Sequence, residues 1–145
     1  MPTSSQPGPV LLLDTHVWIW LMNGDPALRG SPAVPVIERA ARQAQVGVAA
    51  ISVWEVGMLE AKGRIVLPMD GMLWVENALG APGVRLIHLT PDIAMQSTRL
   101  PGAFHGDPAD RMLVATARCQ GCRLVTRDQR ILDYGGQGLV RVLAA

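Results

Sequence analysis

The chain has 145 residues, 49% of them hydrophobic and 17% charged, with a formal net charge of +1. That length fits one domain with a core of its own, and the near-neutral balance excludes capture of nucleic acid through a global basic field. No apolar run reaches the roughly 20 residues of a membrane span. The opening "MPTSSQPGP" lacks the cationic start and apolar stretch of a secretory signal. Residues 1–9 therefore read as a disordered leader, residues 10–145 as one domain, and the protein as cytoplasmic with no membrane association.

Val10 to Leu13 is a short continuous apolar run, as expected of a strand buried on both faces of a parallel sheet, and Asp14 ends it. Thr15 to Met22 reads as a short helix closed by Asn23-Gly24. Ala33 to Gln45 has Val36, Ile37, Ala40, Ala41 and Ala44 at helical spacing, and Gly47 to Ile51 is small, apolar and strand-like. Ser52 with Glu55 three residues later matches a capping box that opens the helix "VWEVGMLEAKG". Asp70 to Leu79 is a further helix, followed by the strand "VRLIHL". Thr90-Pro91-Asp92 starts a helix that stops near Pro101. Pro108 to Gln120 is helical, "RLVT" is a strand ending at Arg127-Asp128, a short helix runs to about Tyr134, and "GLVRVL" is a last strand. Alternating strands and helices indicate an α/β fold with a mostly parallel central sheet.

In such sheets the ligand crevice lies outside the carboxyl ends of the strands. Asp14 directly follows the first strand, Glu55 lies in the first turn after "VAAIS", Asp107 and Asp110 open the helix before "RLVT", and Asp128 follows that strand. If those strands are neighbours, these carboxylates converge on one edge. Clustered anions raise one another's pKa, and the single lysine, Lys62, is not near them in sequence. A divalent cation would neutralise them, and hard oxygen ligands favour Mg²⁺ or Mn²⁺ over zinc. Each acid also has a purely structural reading. Asp14, Asp107 (before Pro108) and Asp128 suit helix caps, Glu55 suits the capping box, and Asp110 suits a helix dipole. Cys119 and Cys122 form C-Q-G-C, but no second pair supplies further zinc ligands, so two reduced thiols at a helix end are expected.

The segments "LLLDTHVWIWLM", "ISVWEVGMLEAKGRI", "HGDPADRMLVATA" and "LVTRDQRI" together resemble the PIN-domain family, specifically the VapC-type toxins of bacterial toxin–antitoxin pairs. The resemblance covers nearly the whole chain from Val10 onward. It implies a three-layer α/β/α fold and a Mg²⁺- or Mn²⁺-dependent ribonuclease that inhibits translation, with transfer RNA ahead of ribosomal or messenger RNA as its target. The family's acidic quartet falls by motif position on Asp14, Glu55, Asp110 and Asp128, with Asp107 an additional acid that either joins the metal ligands or only caps the helix. Thr15 and Thr126 match positions whose hydroxyls support the site. A VapB-like antitoxin whose C-terminal tail covers the acidic cleft, and a homodimer, are the implied partners. Arg111, Arg127 and Arg130 flank the acids and have two readings, holding RNA phosphates or pairing with these carboxylates. His105 has two readings, a loop histidine that merely hydrogen-bonds or one that approaches the RNA, and His16 is expected to pack at the helix start. Trp18, Trp20 and Trp74 suit either core packing or a partner surface. Two alternatives stand beside the nuclease: a non-catalytic PIN-like binding module, and a haloacid-dehalogenase-type phosphatase. The phosphatase needs a second acid where His16 stands and a lysine in its site.

Overall fold

The computed structural model describes residues 8–145, so the first seven residues of the expected leader lie outside the described part. Pro9 is half-buried, and its carbonyl accepts the Cys122 thiol at 3.2 Å. The elements in chain order are β1 (Leu11–Leu13), α1 (Thr15–Asn23), a single 3₁₀ turn (Pro26–Leu28), α2 (Ala33–Ala41), β2 (Val46–Ala49), α3 (Ala50–Ala61) and α4 (Gly71–Leu79). They continue with β3 (Val84–Ile87), α5 (Pro91–Ser97), α6 (Pro108–Gln120), β4 (Arg123–Thr126), α7 (Gln129–Gly136) and β5 (Val142–Ala144).

The five strands form one parallel sheet in the order β3-β2-β1-β4-β5. Successive residues of a strand point to opposite faces, and here both faces are covered. Leu11 and Leu13 enter a core with α1, α2, α3 and α4, while Leu12 enters a second core with α5, α6 and α7. Val125 and Leu124 divide the same way on β4. The fold is therefore three-layered, as the continuous apolar run of β1 requires. Trp18 and Trp74 pack in the first core with ring centroids 5.0 Å apart, and the Trp74 indole N–H donates to Asn23 Oδ1 at 2.8 Å. Core packing is thus the role of both. Among the described residues, no helix is long and apolar enough to cross a membrane.

Several boundaries differ from the sequence expectation; β3 ends at Ile87 rather than Leu89, and α5 ends at Ser97 rather than near Pro101. The helix from Ala33 stops at Ala41 rather than Gln45, because Ala44 takes a left-handed conformation (φ 56°) that turns the chain into β2. β2 ends at Ala49 and α3 begins at Ala50, two residues before Ser52. The capping box therefore does not form: Ala49 is the cap residue and offers no side-chain bond. The last strand is confined to Val142–Ala144, since Gly138 (φ 79°) sits in a turn and Val140 is core beyond the sheet. His16 faces solvent rather than packing at the start of α1.

Gly83, just before β3, has φ +84°, and a Cβ there would collide with the backbone of Ala41. Gly83→Ala is expected to lower stability by roughly 2–4 kcal/mol, since strain and overlap add. Urea unfolding would measure it, and an unchanged midpoint would refute the close approach of α2 to β3. The two cysteines are free, Cys119 exposed and Cys122 buried, and burial pushes the Cys122 thiol up to about 11. A reactive or metal-binding C-Q-G-C is not what this geometry builds.

Candidate active site

β1 lies at the centre of the sheet. The chain leaves it toward β2 and β3, then crosses to β4 and β5 on the other side. The point of reversal is the crevice between β1 and β4, where parallel α/β sheets place their ligands. Asp14 and Thr126 stand at the carboxyl ends of these two strands, and the Asp14 N–H donates to Val125 O at 2.9 Å.

The Asp14 carboxylate is nearly buried, at 9% exposure, and both of its oxygens are held. Oδ1 accepts the Thr15 N–H at 2.7 Å, and Oδ2 accepts the Thr126 hydroxyl at 2.6 Å. Thr126 Oγ1 in turn accepts the Asp128 N–H at 3.0 Å. Asp128 caps α7, with Oδ1 accepting the N–H groups of Arg130 and Ile131 at 2.8 and 3.3 Å. On the other side, Thr15 Oγ1 lies 2.6 Å from Glu55 Oε1 and 2.8 Å from Ser52 Oγ. One hydroxyl carries one proton. Donation to the carboxylate leaves the Ser52 hydroxyl to donate back to Thr15. Glu55 is thus aimed by a threonine 40 residues away, not by its own helix.

Asp107 caps α6, its Oδ1 accepting the N–H groups of Ala109 and Asp110 at 2.9 and 3.2 Å. With Pro108 in the first turn it fixes how the helix starts. Asp110, one turn in, has Oδ2 at 3.2 Å from His105 Nε2. That nitrogen makes no well-aligned hydrogen bond, so the contact is a close approach set by distance rather than direction. His105 Nδ1 lies 3.4 Å from the Asp107 N–H donor and 3.5 Å from Arg130 Nη1, which makes it an acceptor and places the proton on Nε2.

The carboxylates feel one another. Burial pushes Asp110 up to about 7, with Asp107, Asp14, Glu55 and Asp128 all adding repulsion. Burial also raises Asp14, against the hydroxyl of Thr126 and the N–H of Thr15, and Asp128 adds to the rise. Glu55 is raised by burial too, opposed by the Thr15 hydroxyl and reinforced by Asp14 and Asp107. All five sequence-selected acids therefore lie within reach of one another's field. The arginines do not neutralise them. Arg111 donates to the carbonyls of Ser97, Phe104 and His105, which ties α5 and the following loop to α6. Arg127 donates to the carbonyls of Ala27 and Ala145 and lies 4.9 Å over the Trp20 ring. Of the two sequence readings of these residues, pairing with the carboxylates is met by neither.

The frame around these acids is shared with known proteins. A profile of the PIN domain matches residues 11–137. Ribonuclease VapC22 of Mycobacterium tuberculosis (strain ATCC 25618 / H37Rv) is 39% identical over 124 residues, covering 86% of this chain and 91% of the relative. The chain belongs to the PIN-domain family. Among solved structures, DNA-bound VapBC from Salmonella typhimurium superposes with a TM-score of 0.67 at 15% identity, covering 94% of this chain and 98% of that one. VapBC2 from Rickettsia felis, bound to a DNA fragment from its promoter, gives 0.66 at 13% identity, with 92% and 97% covered. At those identities the likeness establishes the PIN fold alone.

Within this PIN fold the acids come from four places: the end of β1, the second turn of α3, the start of α6 and the cap of α7. Among the described residues no three acidic, histidine or cysteine side chains are already gathered at metal-ligating spacing. The site is an open ring of oxygens, not a closed cage. Two participants escaped the sequence reading. Ser52 is fully buried beside Thr15, where its spacing to Glu55 imitated a cap. Trp54 stands 58% exposed next to Glu55, and no periodicity marks it as different from Trp18.

Proposed function

We propose that the protein is a divalent-metal-dependent endoribonuclease, the toxin of a VapBC-type toxin–antitoxin pair. The observation that carries the chemistry is the unneutralised carboxylate cluster at the switch point, with Asp14, Glu55 and Asp110 all raised by burial and mutual repulsion. The donors are all oxygen, and among the described residues no lysine or arginine forms an ion pair with them, which fits a hard cation. Because the ring is open, Mg²⁺ or Mn²⁺ would be held by Asp14 and Asp110, with Glu55, Asp128 and Asp107 reached directly or through retained waters. When bound, such an ion supplies Lewis-acid charge to a phosphodiester and lowers the pKa of a coordinated water. Asp14 is pre-positioned by its two hydrogen bonds, and Thr15 holds Glu55 toward the same space. His105 covers Asp110 from the loop side, and Arg130, beside it, is the arginine best placed to meet a substrate phosphate. Arg111 and Arg127 serve the fold through their carbonyl contacts.

Hydrolysis by water, rather than by the RNA 2′-hydroxyl, predicts products with 5′-phosphate and 3′-hydroxyl ends. Cyclic 2′,3′-phosphate ends would contradict it. Transfer RNA is the substrate to assay first. A VapB-type antitoxin covering the acidic cleft and a homodimer complete the reading; the relation to Ribonuclease VapC22 and the VapBC structures supports it. The phosphatase alternative loses ground, because His16 is exposed and Lys62 follows the far end of α3. From Glu55 to Lys62 the helix rises by roughly 10 Å, and Lys62 stands at the end turned away from β1 and β4.

Thr126→Val should remove the donor to Asp14 Oδ2 and the acceptor for the Asp128 N–H together. Losing such an orienting partner weakens metal affinity by about 10–100-fold. Calorimetric titration with Mn²⁺ would read it; unchanged affinity would show that Thr126 orients nothing.

A further inference from the structure

Four tryptophans, one tyrosine and one phenylalanine make up the aromatic set. Trp18, Trp74 and Tyr134 are buried in the cores. Phe104 packs against Tyr134 at 4.9 Å between centroids, and Trp20 lies under Arg127. Trp54 alone leaves an indole largely open to solvent, at 58% exposure. It lies on α3 directly before Glu55 and lines a groove of about 670 Å³. The groove runs between α3 and α6, with Met58, Leu89 and Met112 in its walls and Glu55 and Asp107 at its margin. Among the described residues, no lysine, arginine or histidine lines it.

Those features select an occupant. A phosphate group would find no counter-charge in this groove and would meet two carboxylates at its margin. A nucleobase is planar and uncharged, and any base offers a π face to an indole. An RNA whose backbone passes the carboxylates must send an adjacent base somewhere, and the apolar groove opens at that point. We propose that Trp54 is a substrate-positioning residue on which an unpaired RNA base stacks, next to the phosphodiester held at the acidic ring. The inference rests on the nuclease reading of that ring and adds to it the residue that receives the base. Sequence-tolerant stacking of this kind sets where the strand lies without itself taking part in the chemistry.

The test uses the full chain carrying Asp14→Asn, titrated with short single-stranded oligoadenylate while tryptophan fluorescence is followed, and repeated with the unaltered chain in EDTA. Quenching on binding is expected, and Trp54→Phe should remove most of it while keeping affinity near normal. Trp54→Ala should weaken binding by roughly 5- to 150-fold, the range that loss of one stacked base gives. In the cleaving protein the same change should raise KM by a similar factor with kcat nearly unchanged. An oligomer abasic at the stacked nucleotide should bind equally well whether or not the chain carries Trp54→Ala. The proposal is overturned if Trp54→Ala leaves quenching, affinity and KM as they were, including the case in which that variant instead loses binding of an apolar peptide from a protein partner. Quenching by oligoadenylate, together with no cleavage of transfer, ribosomal or messenger RNA by the unaltered chain in Mn²⁺, would sink the nuclease reading and leave the stacking contact standing.

Discussion

Asp14→Asn or Asp110→Asn is expected to lower RNA cleavage by roughly a thousandfold while leaving the protein folded. The magnitude follows from the several kcal/mol that a bound cation contributes to stabilising transition-state charge, at about 1.4 kcal/mol for each factor of ten. The fold should survive for a local reason. An asparagine oxygen at position 14 still accepts the Thr15 N–H, and its amide can donate to the Thr126 hydroxyl, which already accepts the Asp128 N–H. A buried, repelled carboxylate is also exchanged for a neutral group. The variants should therefore unfold at the same temperature as the unaltered chain, or higher, in metal-free buffer. Cleavage that is equal in Mn²⁺, in EDTA and in both variants would end the assignment.

The metal-free protein is expected to lose stability as pH rises from 5 to 8, and Mn²⁺ should restore it at pH 8. Asp110 titrates near 3.8 in an unfolded chain and is pushed up to about 7 in the fold; Asp14 and Glu55 are raised in the same direction. Through that window the folded state binds more protons than the unfolded state, so stability declines with pH. The contribution is fully present below about pH 4 and lost above about 7. From pH 5 to 7 Asp110 alone accounts for on the order of 2–3 kcal/mol, or roughly 5–10 °C in melting temperature for a chain of this size. Metal requires the deprotonated form. Millimolar Mn²⁺ should therefore raise the midpoint by several degrees at pH 8 and by much less at pH 5. A melting temperature flat across this range, with no response to metal, would show that the acids do not share a field.

The positions of the acids were legible because each follows a strong local signal. Asp14 closes an apolar run that could only be a doubly buried strand, and Asp107-Pro108 starts a helix whose next turn carries Asp110. What stayed hidden were relations between distant segments. Ser52 and Glu55 have the spacing of a capping box, but α3 begins at Ala50, and the partner that orients both is Thr15. The sequence also posed capping and metal binding as alternatives; the fold shows that Asp14, Asp107 and Asp128 each cap a helix, and capping leaves them in the field of Asp110. The positive helix ends offset part of the repulsion. They do not offset all of it, as the raised groups show. Of the two readings of the arginines, carboxylate pairing fails for Arg111 and Arg127 for a related reason, since only the folded backbone reveals which carbonyls need a donor.

The central place of β1 governs when this site can exist. A ribosome delivers β1, β2 and β3 first, with Asp14 and Glu55, while Asp110, β4 and Asp128 come from the last third of the chain. Until β4 docks beside β1, the Thr126 hydroxyl that holds Asp14 is missing, and so is Asp128, which follows that strand. A nascent or truncated chain ending before β4 therefore has no assembled centre, however well its first three strands pair. For a nuclease synthesised among RNA molecules, the order in which the strands emerge delays assembly of this centre until β4 and the start of α7 have been made.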